Sequence, residues 1–326
     1  RVYNKALTPT QLQEQVYQRI LYNNGEVQGE MTLHNIEGLV WNDLILYLKM
    51  LSVSGTGTTP DSSLSNQEGD LFHINTQQDT NAPLPYIANA YGKWTDIPSW
   101  KYGNVWDITD ITNNKDWAIV QVSNAAKLIT TDSHTLLGNI VDAGAELSIE
   151  TDKSLTVTKY LKLDGHLDLV GESQLIQSIG SIFEPSSTGY LERDQQGKSN
   201  IYSYNYWSSP VYSTISSSGN NGLYSVSNIL KSGIDTNFPQ NITFISSGYD
   251  GSTDGEIMTV ADYWIWKYSS QPGAYANWQH LRSTGEIKSG EGYTMKGTGA
   301  GIQNYVFTGK PNNGDITHQI NGNDIY

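Results

Sequence analysis

Glu146-Leu147-Ser148-Ile149-Glu150-Thr151-Asp152-Lys153-Ser154-Leu155-Thr156-Val157-Thr158-Lys159-Tyr160-Leu161-Lys162-Leu163-Asp164-Gly165-His166-Leu167-Asp168-Leu169 is the stretch on which the fold turns. Apolar pairs with one residue between them recur through it: Leu147/Ile149, Leu155/Val157, Leu161/Leu163 and Leu167/Leu169, their first members eight, six and six residues apart. Alternation with period two means strand. Polar turn residues fill the gaps, and such short strands at so short a repeat suit a β-solenoid whose rungs stack on one another. A run of tight hairpins is the rival, but it would call for stronger Asn-Gly turns. The solenoid reading is preferred, over residues 126–182.

The flanks read as longer strands. Before the solenoid, Trp41 to Met50 is read as a buried strand, Ser52 to Asp70 as a loop, and Lys115 to Val122 as a buried strand with Trp117, Ile119 and Gln121 on one face. After it, Asn221-Gly222, Asn313-Gly314 and Asn321-Gly322 mark turns. Between these turns the run Asp262-Tyr-Trp-Ile-Trp-Lys-Tyr268 alternates as a central sandwich strand does, with Trp264 and Trp266 sharing a face. The one helix expected lies near the start. Thr8 caps it, Pro9 takes its first position, and Leu12, Val16 and Ile20 form its apolar face. The expected fold class is therefore mostly β and multidomain, with β-sandwich modules, a short β-solenoid and one short N-terminal helix. The divisions are 1–30, the end of an upstream domain and linker; 31–125, a β-rich module; 126–182, the solenoid; and 183–326, a sandwich-like module incomplete at its C-terminus.

Composition narrows the function. Lys and Arg number 19 against 33 Asp and Glu, a net charge of −14 with no basic tract, which argues against a nucleic-acid partner. There is no cysteine, hence no disulfide framework and no thiolate metal site. Nine Trp and 21 Tyr supply buriable area, which argues against disorder. No apolar run reaches the ~20 residues needed to span a bilayer. The profile is that of an extracellular β protein, and the chain is read as a window onto a longer one.

Chemistry-bearing motifs are scarce. A retaining glycosidase needs two carboxyls ~5–5.5 Å apart. Glu150-Thr-Asp152 is the nearest candidate, and no second Glu follows it. Nucleophile-elbow, His-Glu-x-x-His and phosphate-loop motifs are missing, and the six His are scattered. The chain is read as a non-enzyme. Two binding candidates stand. Asp250, Ser252, Asp254 and Glu256 set oxygen ligands at the spacing of the first half of an EF-type calcium loop, although its twelfth position is Ala261; an Asp/Gly turn is the plain alternative. Trp94, Trp100 and Trp106, interleaved with Gly and Lys, would stack on sugar rings if exposed; core positions, usual for Trp in β sandwiches, are the preferred reading.

Several phrases carry a resemblance. Val2-Tyr-Asn-Lys-Ala-Leu-Thr-Pro-Thr-Gln-Leu12 resembles the closing strand and helix of a laminin-G-like, concanavalin-type lectin domain. Ala82-Pro-Leu-Pro-Tyr86 with Gly103-Asn-Val-Trp-Asp-Ile108, Tyr204-Asn-Tyr-Trp-Ser-Ser-Pro-Val211, Trp264-Ile-Trp-Lys-Tyr268 through Gln271-Pro-Gly-Ala-Tyr-Ala-Asn-Trp-Gln-His280, Gly290-Glu-Gly-Tyr-Thr-Met-Lys-Gly-Thr-Gly299 and Phe307-Thr-Gly-Lys-Pro-Asn-Asn-Gly-Asp315 look like parts of large surface proteins of gliding Bacteroidota. The resemblance implies secretion through the type IX system, with its translocon and outer-membrane shuttle proteins as export partners. It also implies a place on the outer face of the outer membrane and a role in adhesion or gliding motility. A polysaccharide-binding or carbohydrate-active secreted protein, with surface glycans as partner, is the second reading.

Overall fold

The computed structural model describes residues 1–50, 57–73, 85–103, 116–123, 125–198, 200–215, 220–254, 257–268, 278–299 and 303–318. In it the opening stretch forms the strands Glu146–Ile149, Ser154–Leu163 and His166–Leu169. Leu147 lies beside Leu167 in a parallel pair, so one coil takes twenty residues and the chain climbs by a strand each time round. Three walls result. The first holds 134–136, 154–157 and 174–177. The second holds Tyr86–Ala88, Ile119–Val122, 138–141, 160–163 and Ile182–Phe183. The third holds Gly92–Lys93, Lys127–Thr130, Glu146–Ile149, His166–Leu169 and Tyr190–Gln196. Every pairing within these walls is parallel, which excludes hairpins, since a hairpin makes antiparallel neighbours. The corner between the first and second walls sits inside continuous strands, at the register shift between Leu136 and Gly138.

The apolar pairs of the sequence point inward. Leu128, Leu147, Leu167 and Leu191 stack as one buried column, and Leu155, Val157, Leu161 and Leu163 fill the remaining interior. The solenoid is longer than 126–182. It begins with Tyr86–Ala88 and ends with Tyr190–Gln196, so the boundary drawn at 182/183 falls within it. Its first coil runs from Tyr86 to the stacked Val120, and its last from Leu167 to Leu191 through the turn Glu184-Pro-Ser-Ser-Thr-Gly189. Both exceed the short repeat, and periodicity alone misses them.

Both ends of a solenoid leave unpaired backbone groups and need cover. At the start, Trp100 bridges Ala88, and the Lys101 N–H donates to the Ile87 carbonyl at 2.8 Å. At the far end, Tyr190–Gln196 pairs antiparallel with Asn304–Pro311, which also pairs with Leu230–Ser232. The third wall thus extends into an antiparallel sheet. A second sheet, ordered Tyr204–Ser208, Gly292–Lys296, Trp266–Tyr268, Trp278–His280, lies over it. The Trp207 ring joins the two layers, edge-on to Tyr305 at 5.1 Å and Phe307 at 5.8 Å. The expected sandwich-like C-terminal half is therefore built on the solenoid's own sheet. The run Asp262 to Tyr268 is not one strand: Asp262–Trp264 is a 3-10 turn and the strand is Trp266–Tyr268, an interior strand of the outer sheet.

At the N-terminus the helix spans Pro9–Val16. Thr8 Oγ1 accepts from the Gln11 N–H at 3.2 Å, and the Gln11 side chain accepts from the Thr8 N–H at 2.9 Å, a reciprocal cap with Pro9 in the first turn. The buried face is the other one from that expected: Gln11, Glu14 and Gln15 are inside, Leu12 and Val16 are exposed, and Ile20 belongs to the next strand, Ile20–Asn23. Polar partners explain the reversal. Gln11 Nε2 donates to the Glu37 carbonyl at 2.9 Å, and Glu14 meets His34 and Lys159. Ile20–Asn23, Glu26–Gly29 and Asn35–Val40 form a small sheet over the core Ile20, Val27, Ile36, Leu39, Trp41, Leu44 and Tyr47. The boundary drawn at 30/31 falls inside this sheet. Asn24-Gly25 closes its first hairpin with positive φ at both residues, which Gly tolerates freely. Trp41 to Met50 is a 3-10 turn, Trp41–Asp43, followed by the short strand Leu44–Leu46, rather than one long strand. This module presses on the second wall, where a Cβ on Gly138 would come within 2.8 Å of Thr32 Cγ2. Among the described residues no helix is long and apolar enough to cross a membrane.

Candidate functional site: an exposed aromatic face

Trp94 and Trp100 do not face solvent. They are 1% and 4% exposed and close the first coil of the solenoid. Their rings meet edge-on at 5.1 Å, the Trp100 indole N–H donates to the Trp94 carbonyl at 2.8 Å, and His134 stacks on Trp94 at 4.0 Å. No ring face is left for a sugar: both take the core positions preferred from the sequence, and there they cap the coil. Trp106 lies outside the described residues.

The 250–254 loop is also engaged otherwise. The Asp250 carboxylate accepts from Lys296 Nζ at 2.6 Å, and Ser252 Oγ accepts from the Asp254 N–H at 2.9 Å. Ser252 and Asp254 are therefore brought together by a turn, whereas Asp250 is turned away to a lysine. A calcium ion at Asp250 would have to displace that ammonium. Glu256 lies outside the described residues. Among the described residues no three acidic or histidine side chains gather as a metal site.

What the structure exposes instead is the outer face of the second sheet. Side chains alternate across a strand, so Tyr204 and Tyr206 point outward from Tyr204–Ser208 while Asn205 and Trp207 point toward the lower layer. Thr294 lies opposite both Tyr206 and Trp266, and Tyr268 opposite Trp278. Tyr206, Tyr268 and Trp278 are 73%, 57% and 47% exposed. Two clefts lie between these rings. One, of about 350 Å³, is bounded by Tyr206, Tyr268, Trp278, Gly292 and Thr294. The other, of about 250 Å³, is bounded by Tyr204, Tyr206, Tyr263, Trp264, Trp266, Trp278 and Thr294. Gly292 has no side chain, which lowers the floor of the first.

The rings are held. Tyr268 meets Trp278 edge-on at 5.5 Å, and Trp266 stacks on His280 at 4.1 Å with 11° between planes. The indole N–H groups are satisfied within the protein: Trp264 donates to the Tyr249 carbonyl and Trp266 to the Tyr263 carbonyl, each at 2.7 Å. Lys296 lies over the Trp264 ring, 5.2 Å from its centre, while its charge is answered by Asp250. Lys267 pairs with Glu291 at 2.8 Å. Burial pushes the Glu291 carboxyl up, but hydrogen bonds from Lys267 and the Lys288 N–H outweigh it and hold the group below the usual carboxylate range. Burial, with Tyr206 and Tyr263 nearby, raises the Tyr204 phenol. The face is thus broad and aromatic, with phenolic hydroxyls as its polar handles and the Lys296–Asp250 pair beside Trp264. Such a surface stacks on the apolar faces of planar or ring-shaped ligands.

Trp264 and Trp266 line one cleft, but Tyr263, expected on the opposite face, lines it too, because the 3-10 turn at Asp262–Trp264 breaks the alternation. Their partners Tyr204, Tyr206, Tyr268 and Trp278 were missed as a site. The signal available was Tyr204-x-Tyr206, aromatic at alternate positions beside a polar residue, and it gains meaning only once Trp278 and Thr294 are brought alongside.

Residues 93–249 match the model of a family described as a domain of unknown function, DUF8693. That span takes in most of the solenoid and reaches Tyr249 at the edge of the aromatic face. No curated protein and no solved structure matches the chain.

Proposed function

We propose that this chain is a glycan-binding segment of a secreted, adhesin-like surface protein, and that the outer aromatic face is where it meets its ligand. The observation that carries the reading is the exposure of Tyr206, Tyr268 and Trp278 side by side over two clefts. Large aromatic side chains in water cost solvation energy, and a grouped apolar face on a soluble β protein marks a binding surface. Sugar rings suit it, having an apolar face for the rings and hydroxyls for the phenols. The solenoid beneath then acts as a stiff mount. Export by the type IX route, with its translocon and shuttle proteins as partners, and a role in attachment or gliding rest on the resemblance to Bacteroidota surface proteins. The role is binding rather than catalysis.

Affinity electrophoresis through gels carrying neutral polysaccharides tests the binding. The native chain should be retarded in at least one gel, and Trp278→Ala should lose most of that retardation with its melting temperature unchanged. Deleting the gene should impair surface attachment or spreading. Normal secretion in a strain lacking the type IX system would remove the export assignment.

A further inference from the structure

We propose that the aromatic face is a tandem of two subsites taking consecutive units of an uncharged glycan chain, rather than one pocket for a chain end. This deepens the glycan-binding reading and rests on it. The two clefts share Tyr206, Trp278 and Thr294, so one wall serves both. Beyond that wall they differ. Tyr268 and Gly292 belong to the first alone, Trp264 and Trp266 to the second alone. Along Gly292–Lys296 the step from Gly292 to Thr294 is two residues, roughly 7 Å in a strand, which is the scale of one pyranose ring. Neither cleft is closed over, because Tyr206 and Trp278 on the shared wall, and Tyr268 beyond it, are exposed. A chain can therefore cross the shared wall and continue past either end.

Charge selects the ligand class. No charged side chain bounds either cleft among the described residues. The two lysines nearest by sequence and strand, Lys267 and Lys296, already hold Glu291 and Asp250. A uronate or sulfated unit would lose water around its charge and find no free cation in return, a net cost. A neutral unit would meet ring faces and phenolic hydroxyls only.

Titration calorimetry on the intact chain tests this with neutral gluco-, manno- and xylo-oligosaccharides of one to four units and with oligogalacturonates of the same lengths. In at least one neutral ladder, affinity should rise at least about tenfold from one unit to two or three and then level off. Tyr268→Ala should abolish the gain from added length while leaving binding of the shortest ligand. Tyr206→Ala should weaken every length. Both side chains face solvent, so unchanged melting temperatures are expected and serve as the folding control. Equal affinity for one unit and four would overturn the tandem arrangement with the glycan reading intact. Tighter binding of oligogalacturonate than of any neutral ladder would overturn the selection for uncharged chains. Absence of binding across all ladders would remove the glycan reading itself.

Discussion

His134 shows how a single side chain in the solenoid carries a pH dependence. It lies under Trp94, buried, and desolvation lowers its pKa from 6.5 to about 4 although Asp132 pulls the other way. The folded protein therefore holds the ring neutral where the unfolded chain would protonate it. Stability is full above pH ~6.5 and falls as the pH drops toward ~4, by up to about 3 kcal/mol. His134→Phe keeps an aromatic ring against Trp94 and removes the proton, so its melting temperature should vary less between pH 6.5 and 4 than that of the native chain. Thermal unfolding across that window is the measurement, and an unchanged slope would contradict the assignment. The same neighbourhood explains why the core positions of Trp94 and Trp100, preferred on general grounds, could not be located from the sequence. Gly and Lys around a tryptophan suggest exposure, but a place at the end of a stacked coil is not a local property, and only the climb of the chain from Tyr86 to Val120 reveals it.

At the scale of the elements, each coil is fixed by a few inward residues. Leu167 has Leu147 below and Leu191 above in the same column. Leu167→Ala should cost ~2–5 kcal/mol, because the stacked neighbours cannot close the gap without bending two coils. Denaturant unfolding should show the lower midpoint with little change in slope. The apolar pairs made these coils readable, since Leu-x-Leu at short intervals has few other uses. The helix was readable in its cap but not in its face. Apolar spacing assigned Leu12 and Val16 to the inside, yet Gln11, Glu14 and Gln15 take that side because their hydrogen-bonding partners lie there. Periodicity does not register a polar side chain buried with its bonds satisfied. The aromatic face was unreadable for a different reason: Tyr204 and Tyr206 lie far along the chain from Trp266, Tyr268 and Trp278, and periodicity does not show that Gly292–Lys296 joins the two.

Across the whole molecule, the modules are tied by charge as well as by apolar contact. Glu14 on the N-terminal helix is buried between His34, at 3.3 Å, and Lys159 of the solenoid, at 3.1 Å. Burial alone would raise its pKa, but the hydrogen bonds from His34 and Lys159 outweigh that and bring it below 4.5. Its contribution is thus present above pH ~4.5 and is lost as the pH falls through the lowered folded value. Lys159 is partly exposed, so water can take up its charge, and Glu14→Ala should destabilise by ~1–3 kcal/mol, the cost of lost hydrogen bonds to a buried group. Glu14→Gln, which retains hydrogen bonding, should lose less. Tyr17, packed against Tyr86 at 4.9 Å and Trp117 at 5.0 Å, makes the same junction apolar. The native chain should therefore melt in one transition, and Glu14→Ala should separate an early N-terminal step visible by calorimetry.

The strand that seals the far end of the solenoid sets an order of events. On its outer side Leu191 finds its partner at Gly309, and Gln196 at Asn304. Until the chain has been made and released to that point, the last rung presents a bare row of backbone donors and acceptors, open to any other strand it meets. Closing so long a loop is slow relative to stacking coils that neighbour one another in sequence. The solenoid can therefore form early and wait, adhesive at one edge, for a segment that arrives late. A version stopped before residue 304 should assemble end to end rather than remain single.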